Sequence, residues 1–488
     1  SCSAESVLTT RISNQDRCDI LSPVVGEQTS AVSTATLAPF SEAFLGEIVL
    51  PGSAGYDAAR IVWNAMIDRR PAIVARCDGV DDVVRSIRFA RDQGLAIAVR
   101  SGGHSVGGFS TCDDGIVIDL SLMRGVRVDP ERRIAFVRGG SLLRELDRGA
   151  QEHGLACPVG VVGHTGVAGL TLGGGMGRLQ RRWGFSIDNM AAVELVTAEG
   201  RQLRVSDEEH PDLFWGIRGA GPNFGIVTGF EFRLHALGTT ITQGMLAFPG
   251  ERAHEVAERV REYAPSAPDE VMLSYVLGVG PTDPDLPPEI AGRPFVSMVV
   301  THCGDVTAAD DAIRPLRDLR PSVDMVEPRR YLDVQTSGDE DMAWGKRFYM
   351  KGGFLSELSD AYVDAGLASV ADAPGAECGI TLWLQGGAIA RIPEDAMAFT
   401  GRRAPFWLGV EAAWEDPSLD EAHRDWGRVT MDALAPFTAE GHYVNDIVES
   451  GDDVARSIYG DVKYDRLVEL KRAYDPDNVF RLNQNIRP

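Results

Sequence analysis

The chain reads as an α+β protein in two unlike halves. The first half is built around glycine-rich loops. The second alternates strands of an antiparallel sheet with flanking helices. Three observations predict this. Ala96-Ile97-Ala98-Val99 is a short apolar run of buried-strand type that leads into Arg100-Ser101-Gly102-Gly103-His104-Ser105. A second stretch, Leu155 to Gly177, holds eight glycines. After about His235 the pattern changes to strand-like runs separated by amphipathic ones.

Glycines at a strand's carboxyl end let backbone N–H groups converge on an anion, because no Cβ blocks the approach. Open α/β sheets place ligands there. A cofactor with a pyrophosphate is the natural occupant, and His104 then stands beside it.

The 488 residues suggest two or three domain-sized units, and the 44% hydrophobic content is enough for buried cores. The formal net charge of −23 argues against nucleic acid or an anionic membrane as the main partner. No apolar run reaches the roughly 20 residues of a membrane span. The first residue is Ser1, as expected where a leader or other segment has been removed; secreted and cytoplasmic locations both stay open. The seven cysteines are scattered, so neither a disulfide framework nor a CxxC metal site is indicated. Cys2 and Cys18 could pair in an oxidising compartment.

In chain order, residues 1–40 read as a weakly patterned surface arm rich in Ser, Thr and Ala. Residues 41–66 hold one or two helices anchored by Tyr56, Trp63 and Met66. Ala72 to Ala75 is a strand, and Asp78 to Asp82 supply capping for a helix carrying Val83, Val84, Ile87 and Ala90. Gly94 ends that helix. Three strands follow at 116–120, 125–129 and 134–138, then an amphipathic helix at 141–153. Two strands flank the Glu199-Gly200 turn, and another is entered through Gly225. Strands at 272–279, 295–301, 379–384 and 406–414 alternate with helices around 251–263, 306–319, 357–372 and 419–436. A helix at 464–474 ends at Asp475-Pro476. The boundaries read as an arm (1–40), a cofactor domain (41–236), a substrate domain (237–440) and a returning tail (441–488).

No Rossmann fingerprint, P-loop, His-Glu-x-x-His or G-x-S-x-G elbow is present. A zinc site from His104, Cys112, His153 and Cys157 is set aside, because such ligands normally cluster in short motifs. No metal is expected.

Four ordered motifs carry a resemblance. They are Val99 to Ser105, Gly163-His164-Thr165-Gly166 with its glycine run, Gly225-Ile226-Val227, and the tail from Tyr474-Asp475-Pro476 to Asn483-Gln484-Asn485. Together they resemble the berberine bridge enzyme-like FAD-linked oxidases of the vanillyl-alcohol-oxidase superfamily. The resemblance implies a two-subdomain PCMH-type FAD-binding domain and a substrate domain with an antiparallel sheet. It also implies FAD linked through its 8α-methyl group to His104. A second link, from flavin C6 to a cysteine in a Cys-Pro context, would fall on Cys157; the competing reading is a buried free thiol.

The cofactor contacts implied are Arg100, Ser101, Gly102, Gly103, His104 and Ser105 from the first loop. The second loop contributes Cys157, Val162, Gly163, His164, Gly169, Thr171, Gly174, Gly175 and Gly177. Ile226, Val227, Tyr443, Asn483 and Asn485 complete the set. His164 would serve the N1 side of the flavin, where a donor stabilises anionic charge; the alternative is a loop cap.

Oxidation of an alcohol needs a base for the hydroxyl proton and a pocket that aligns the C–H. Tyr443-Val444-Asn445 resembles the family's Tyr-x-Asn motif, which makes Tyr443 one candidate base. A phenol near pKa 10 needs a neighbouring cation or donor to act at neutral pH. A hydrogen-bonded aromatic at a domain seam is the other reading of this residue. Asp446 stands where the family often has a second tyrosine. On 406–414, Trp407, Gly409 and Glu411 share one face. Gly409 lies near the position of a catalytic acid or glutamine in plant members; this chain lacks that group there, which favours Tyr443 as the base, with Glu411 on the same face as the second candidate. Trp407, Trp383 and Gln385 are candidate pocket residues, with core packing as the alternative for the aromatics. Val159 and Gly160 after the Cys-Pro replace the bulky residue of the family's dehydrogenases, which favours use of molecular oxygen. The resemblance therefore implies an FAD oxidase of alcohols, sugars or natural products that releases hydrogen peroxide. A multi-step or ring-forming tailoring enzyme and a flavin carrier with little turnover stand as alternatives.

Overall fold

A computed structural model describes residues 34–488. The Cys2–Cys18 pairing lies outside the described residues.

Three sheets organise the chain. The first runs in spatial order Glu47–Val49, Ile73–Arg76, Ile116–Asp119, Ile97–Arg100. The last three strands are parallel and Glu47–Val49 is antiparallel to its neighbour. Helix Val80–Gln93 makes the crossover and buries Val83, Ile87 and Ala90 on the sheet. Gly94 closes it in the left-handed region at φ 67°. Its N-cap is Gly79, without a side-chain cap. Asp82, expected among the capping residues, instead accepts the N–H groups of Leu45 and Gly46, each at 2.9 Å. It ties the preceding segment to the helix. Helix Thr34–Ala43 spans the position where the arm was expected to end, and Phe40 stacks on Phe89 at 4.4 Å.

The second sheet is antiparallel, in the order Val126–Asp129, Ile134–Arg138, Ile226–Arg233, Met190–Val196, Gln202–Ser206. The late strand Ile226–Arg233 enters between two earlier hairpins. Helices Leu143–Gln151 and Pro211–Ala220 bury Leu146, Ala150, Phe214 and Ile217 in the core beside it.

The third sheet has nine antiparallel strands. Its centre runs Thr240–Pro249, Pro294–His302, Val271–Val279, Cys378–Leu384, Phe406–Trp414, Arg347–Leu355. Alternation divides it cleanly. Leu382, Leu384, Leu408, Val410, Tyr349 and Leu355 pack under helices Ala253–Tyr263, Asp360–Ala371 and Asp420–Leu434. Trp383, Trp407 and Phe354 point the other way, into the core of the first half.

The tail returns to that first half. Helix Asp452–Tyr474 starts earlier than the sequence suggested, with a break at Gly460, and buries Leu467 and Leu470 there. Lys471, fully buried, meets Asp475 at 2.7 Å and donates to the carbonyls of Asn223 and Phe480. This fixes where residues 480–486 run. No helix among the described residues is long and apolar enough to cross a membrane.

Candidate active site

Strand Ile97–Arg100 ends in the first glycine loop, which lies directly against the second. A Cβ on Gly102 would fall 2.2 Å from the Gly166 nitrogen, and one on Gly166 would fall 2.3 Å from the Gly102 nitrogen. Only two glycines let these backbones touch. Ser101 Oγ donates to the Gly139 carbonyl at 2.7 Å, which pins the loop's start.

Between the loops lies a cavity of about 240 Å³. Ser101, Gly102, Gly103, His104, Ser105 and Gly169 line it, together with Ile226, Val227 and Asn483. Nine of the expected cofactor contacts therefore meet at one place. The cavity also takes in Val444 and Asn445 of the Tyr-x-Asn motif, and Ser110 and Ile447, which the sequence reading did not single out. Its walls are mainly apolar, yet Ser110 Oγ and Asn483 Oδ1 are buried there without a protein partner. Orphaned polar atoms in a buried wall call for a ligand that satisfies them. A large, flat, partly polar cofactor fits this lining.

His104 stacks on Trp63 at 4.5 Å between ring centroids and shares a 2.6 Å hydrogen bond, Nε2 to Nδ1, with His164. Burial, and then the neighbouring His164, push His104 down to about 3. It is a neutral imidazole at physiological pH, the form in which a ring nitrogen is nucleophilic. His164 does not line the cavity. It acts behind His104, with Nε2 3.2 Å from the Asp339 carbonyl oxygen. Gly163 N–H donates to the Asp339 carboxylate at 2.6 Å. A strap from the substrate half thus holds the His164 loop. Its Trp344 meets His104 edge-on at 6.2 Å.

Other expected contacts lie off the cavity wall. Arg100 is buried and paired with Asp119 at 2.7 Å, so it anchors the strand end instead of facing the cavity. Val162, Thr171 and Asn485 are also off the cavity wall, although Thr171 Oγ1 and Asn485 Oδ1 are buried without partners. Gly174, Gly175 and Gly177 pack against protein. A Cβ on Gly177 would fall 1.8 Å from the Val159 carbonyl oxygen, and one on Gly175 2.1 Å from Ser186 Oγ. Their density serves chain-on-chain contact.

Cys157 likewise lies outside the cavity wall. Strand Leu155–Ala156 pairs with His235–Ala236 and leads the thiol into the core, where it is fully buried. Burial and nearby Asp147 push the thiol well above its ordinary range. Asp147, itself raised to about 7 by burial, accepts from Tyr331 Oη and Gln335 Nε2, both at 3.2 Å. This setting favours the protonated thiol.

Tyr443 stands against the second glycine loop. Its hydroxyl accepts the N–H groups of Gly175 at 3.1 Å and Met176 at 3.4 Å, and the Asn445 amide at 2.8 Å. Burial, with Asp446 adding to it, outweighs these donors and raises the phenol to about 12. Tyr443 clamps the second glycine loop.

The other base candidate is Glu411. It faces the first half from strand Phe406–Trp414, makes no hydrogen bond or ion pair, and is raised to about 7 by burial. Beside it stands Asp446, which accepts from Trp407 Nε1 at 2.8 Å. Burial raises Asp446 to about 8; the Trp407 hydrogen bond opposes this and Glu411 adds to it. Trp383 meets Trp407 edge to face at 5.4 Å. Gln385 is 1% exposed, with neither amide atom partnered. Val444, Asn445 and Ile447 line the cavity while Asp446 turns to the sheet, so this segment joins the two regions. Among the described residues no group of three or more His, Cys, Asp or Glu is placed to hold a metal ion.

The glycine-loop half is thus joined to the nine-stranded sheet through a returning tail. The sequence profile described as "FAD binding domain" matches residues 71–206, and that described as "Berberine and berberine like" matches 442–487. The chain is 32% identical over 467 residues to (R)-6-hydroxynicotine oxidase of Paenarthrobacter nicotinovorans, covering 91% of this chain and 97% of that protein. It superposes on the crystal structure of 6-hydroxy-D-nicotine oxidase from Arthrobacter nicotinovorans with a TM-score of 0.81 at 31% identity, covering 91% and 98% of the two chains. The xylooligosaccharide oxidase of Myceliophthora thermophila in complex with xylobiose shares the fold, with a TM-score of 0.81 at 22% identity over 94% and 99% of the chains. The chain belongs to the berberine bridge enzyme-like family and is an FAD-linked oxidoreductase.

Proposed function

We propose that this protein is an oxidase that removes two electrons and a proton from an alcohol or sugar carbon. The observation that carries this is Glu411, a carboxyl without a hydrogen-bond or ion-pair partner on the sheet face whose Trp407 and Phe354 pack into the core of the first half. FAD would supply the hydride acceptor there and pass the electrons to molecular oxygen, giving hydrogen peroxide.

His104 would hold the cofactor covalently through its neutral ring, and the buried, protonated Cys157 favours a single link. Ser110 and Asn483 would satisfy polar atoms of the bound group. Glu411 would take the substrate hydroxyl proton as the C–H bond breaks. Trp383, Trp407 and Gln385 would seat the substrate. Residues 41–236 with 441–488 would form the cofactor unit, and 237–440 the substrate unit. A peroxide-release screen of the holoenzyme across sugars, simple alcohols and hydroxylated natural products tests this reading. Peroxide from one class supports it. Bound flavin that no donor in the screen reduces would favour the carrier reading.

A further inference from the structure

Three rings meet His104. Trp63 stacks on it at 4.5 Å between centroids, with the planes 20° apart. His164 shares the 2.6 Å hydrogen bond with its Nε2, and Trp344 approaches edge-on. The imidazole also lines the cavity. Trp63 is in turn stacked on Phe348, at 3.9 Å and 16°. Two rings cannot lie this close to one indole on the same side, so His104 and Phe348 take its two faces. Trp63 is thus a flat spacer between the first glycine loop and strand Arg347–Leu355 of the third sheet.

The spacer is stitched to both halves. Its backbone N–H donates to the Gly103 carbonyl at 3.0 Å, and its indole N–H to the Met342 carbonyl at 2.7 Å. Asn64 Nδ2 donates to the Val106 and Phe348 carbonyls, at 3.1 and 2.9 Å, while its Oδ1 accepts the Phe348 N–H at 3.1 Å. Ala65 N–H donates to the Lys346 carbonyl at 3.0 Å. Trp63 is 2% exposed, although it stands outside any helix or strand. An ordinary core aromatic needs only apolar volume around it. Here hydrogen bonds from both halves fix the plane, and His104 lies nearly parallel to it. The terminal torsion of a histidine is broad, so the backbone alone leaves the direction of the imidazole open.

We infer that Trp63 is a positioning residue for cofactor attachment: its indole face holds the His104 imidazole in the orientation that meets the flavin, and residues 342–348 of the second half hold Trp63. The inference rests on the reading that His104 carries the cofactor. Attachment joins a His104 ring nitrogen to the flavin 8α carbon. The new N–C bond replaces one methyl C–H and the imidazole N–H. Two electrons and two protons stay on the flavin, and dioxygen takes them up as hydrogen peroxide. A nitrogen misplaced by about 1 Å loses roughly 10²-fold in such a step. Burial, and then His164, hold His104 at about 3. Trp63 supplies part of that burial, so it also keeps the imidazole unprotonated into acid pH.

The test loads the flavin-free full chain, made in riboflavin-starved cells, with FAD in air. Total bound flavin is read by absorbance after gel filtration, and attached flavin after acid precipitation. Trp63→Phe keeps a flat face and should attach FAD within about threefold of the parent rate. Trp63→Leu keeps apolar bulk without the face. It should bind FAD but attach it at least about tenfold more slowly. Its attachment should also gain an acid limb within about pH 5–8, where histidine ordinarily titrates, while the parent profile stays flat there. Val363→Ala, in the helix-side core of the third sheet, should lower the melting temperature and change neither readout. A parent-like rate or a flat pH profile in Trp63→Leu would overturn the inference, as would loss of bound FAD in step with attachment. Should Trp63→Leu fail to fold, Phe348→Leu removes the backing ring and is judged by the same outcomes. A parent chain that binds FAD and attaches none would overturn the reading of His104, and this inference with it.

Discussion

Glu411→Gln separates the proton acceptor from its surroundings. The amide keeps the size of the side chain and its hydrogen-bonding capacity but cannot take a proton. Burial places Glu411 at about 7, so near neutrality it is half ionised. Anaerobic reduction of the flavin by substrate should therefore rise with pH to a plateau, with its midpoint near 7. At pH 6 roughly a tenth of the plateau rate remains, because roughly a tenth of the groups are ionised. The substitution should lower the plateau by roughly 10²- to 10⁴-fold, the usual range for a general base, and abolish the acid limb. Stability should move the other way. The folded pKa lies above the ordinary value of 4.5, so the folded state keeps its proton longer than the unfolded state. Stability is full below that value and falls as pH rises toward 7. Above 7 the buried carboxylate costs on the order of 3 kcal/mol. The Gln variant should thus melt higher than the parent at pH 8 and alike at pH 4. Stopped-flow flavin absorbance and thermal melting read the two effects. An unchanged reduction rate and pH profile in the variant would refute the assignment.

Tyr443→Phe removes the shared acceptor of three N–H groups and should cost about 1–3 kcal/mol in holoenzyme melting. It should leave the acid limb of flavin reduction in place; loss of that limb would return the base role to Tyr443. Mass spectrometry of flavin-bearing peptides should find one attachment, on the His104 peptide, in both the parent and Cys157→Ala. A second attachment on the Cys157 peptide would contradict the burial argument. Gly102→Ala drives a Cβ into the Gly166 backbone at 2.2 Å, so the loops must part. Overpacking of this kind costs about 1–3 kcal/mol or more, and flavin content per chain should fall. Full flavin content would show that the two loops need not touch.

Much of the fold was legible because periodicity reports burial. Helix Val80–Gln93 and the strands Ile116–Asp119, Ile134–Arg138 and Phe406–Trp414 carry clean apolar patterns and stand where those patterns put them. Strands Thr240–Pro249 and Arg347–Leu355 escaped notice. Each mixes Gly, polar and apolar residues, so no clean apolar period marks it. Sheet order was also hidden. Ile226–Arg233 enters between two earlier hairpins through long-range pairing that local sequence does not encode.

The site was legible where chemistry depends on backbone and obscure where it depends on direction. The first loop's residues from Ser101 to Ser105 line the cavity, since glycines beside a strand end have few uses. The second loop is harder to read. Glycine density marks close approach but does not say to what, and Gly175 and Gly177 approach the protein itself. Residues 443–447 show the same limit more sharply. Tyr443 turns to the glycine loop, Val444, Asn445 and Ile447 to the cavity, and Asp446 to the sheet. The residue that looked most like a departure from the family's pattern, Asp446, is the one Gly352 makes room for. A substitution in the tail and a bare glycine on a strand about 90 positions away are thus one feature. Neither carries meaning until the sheet brings them together.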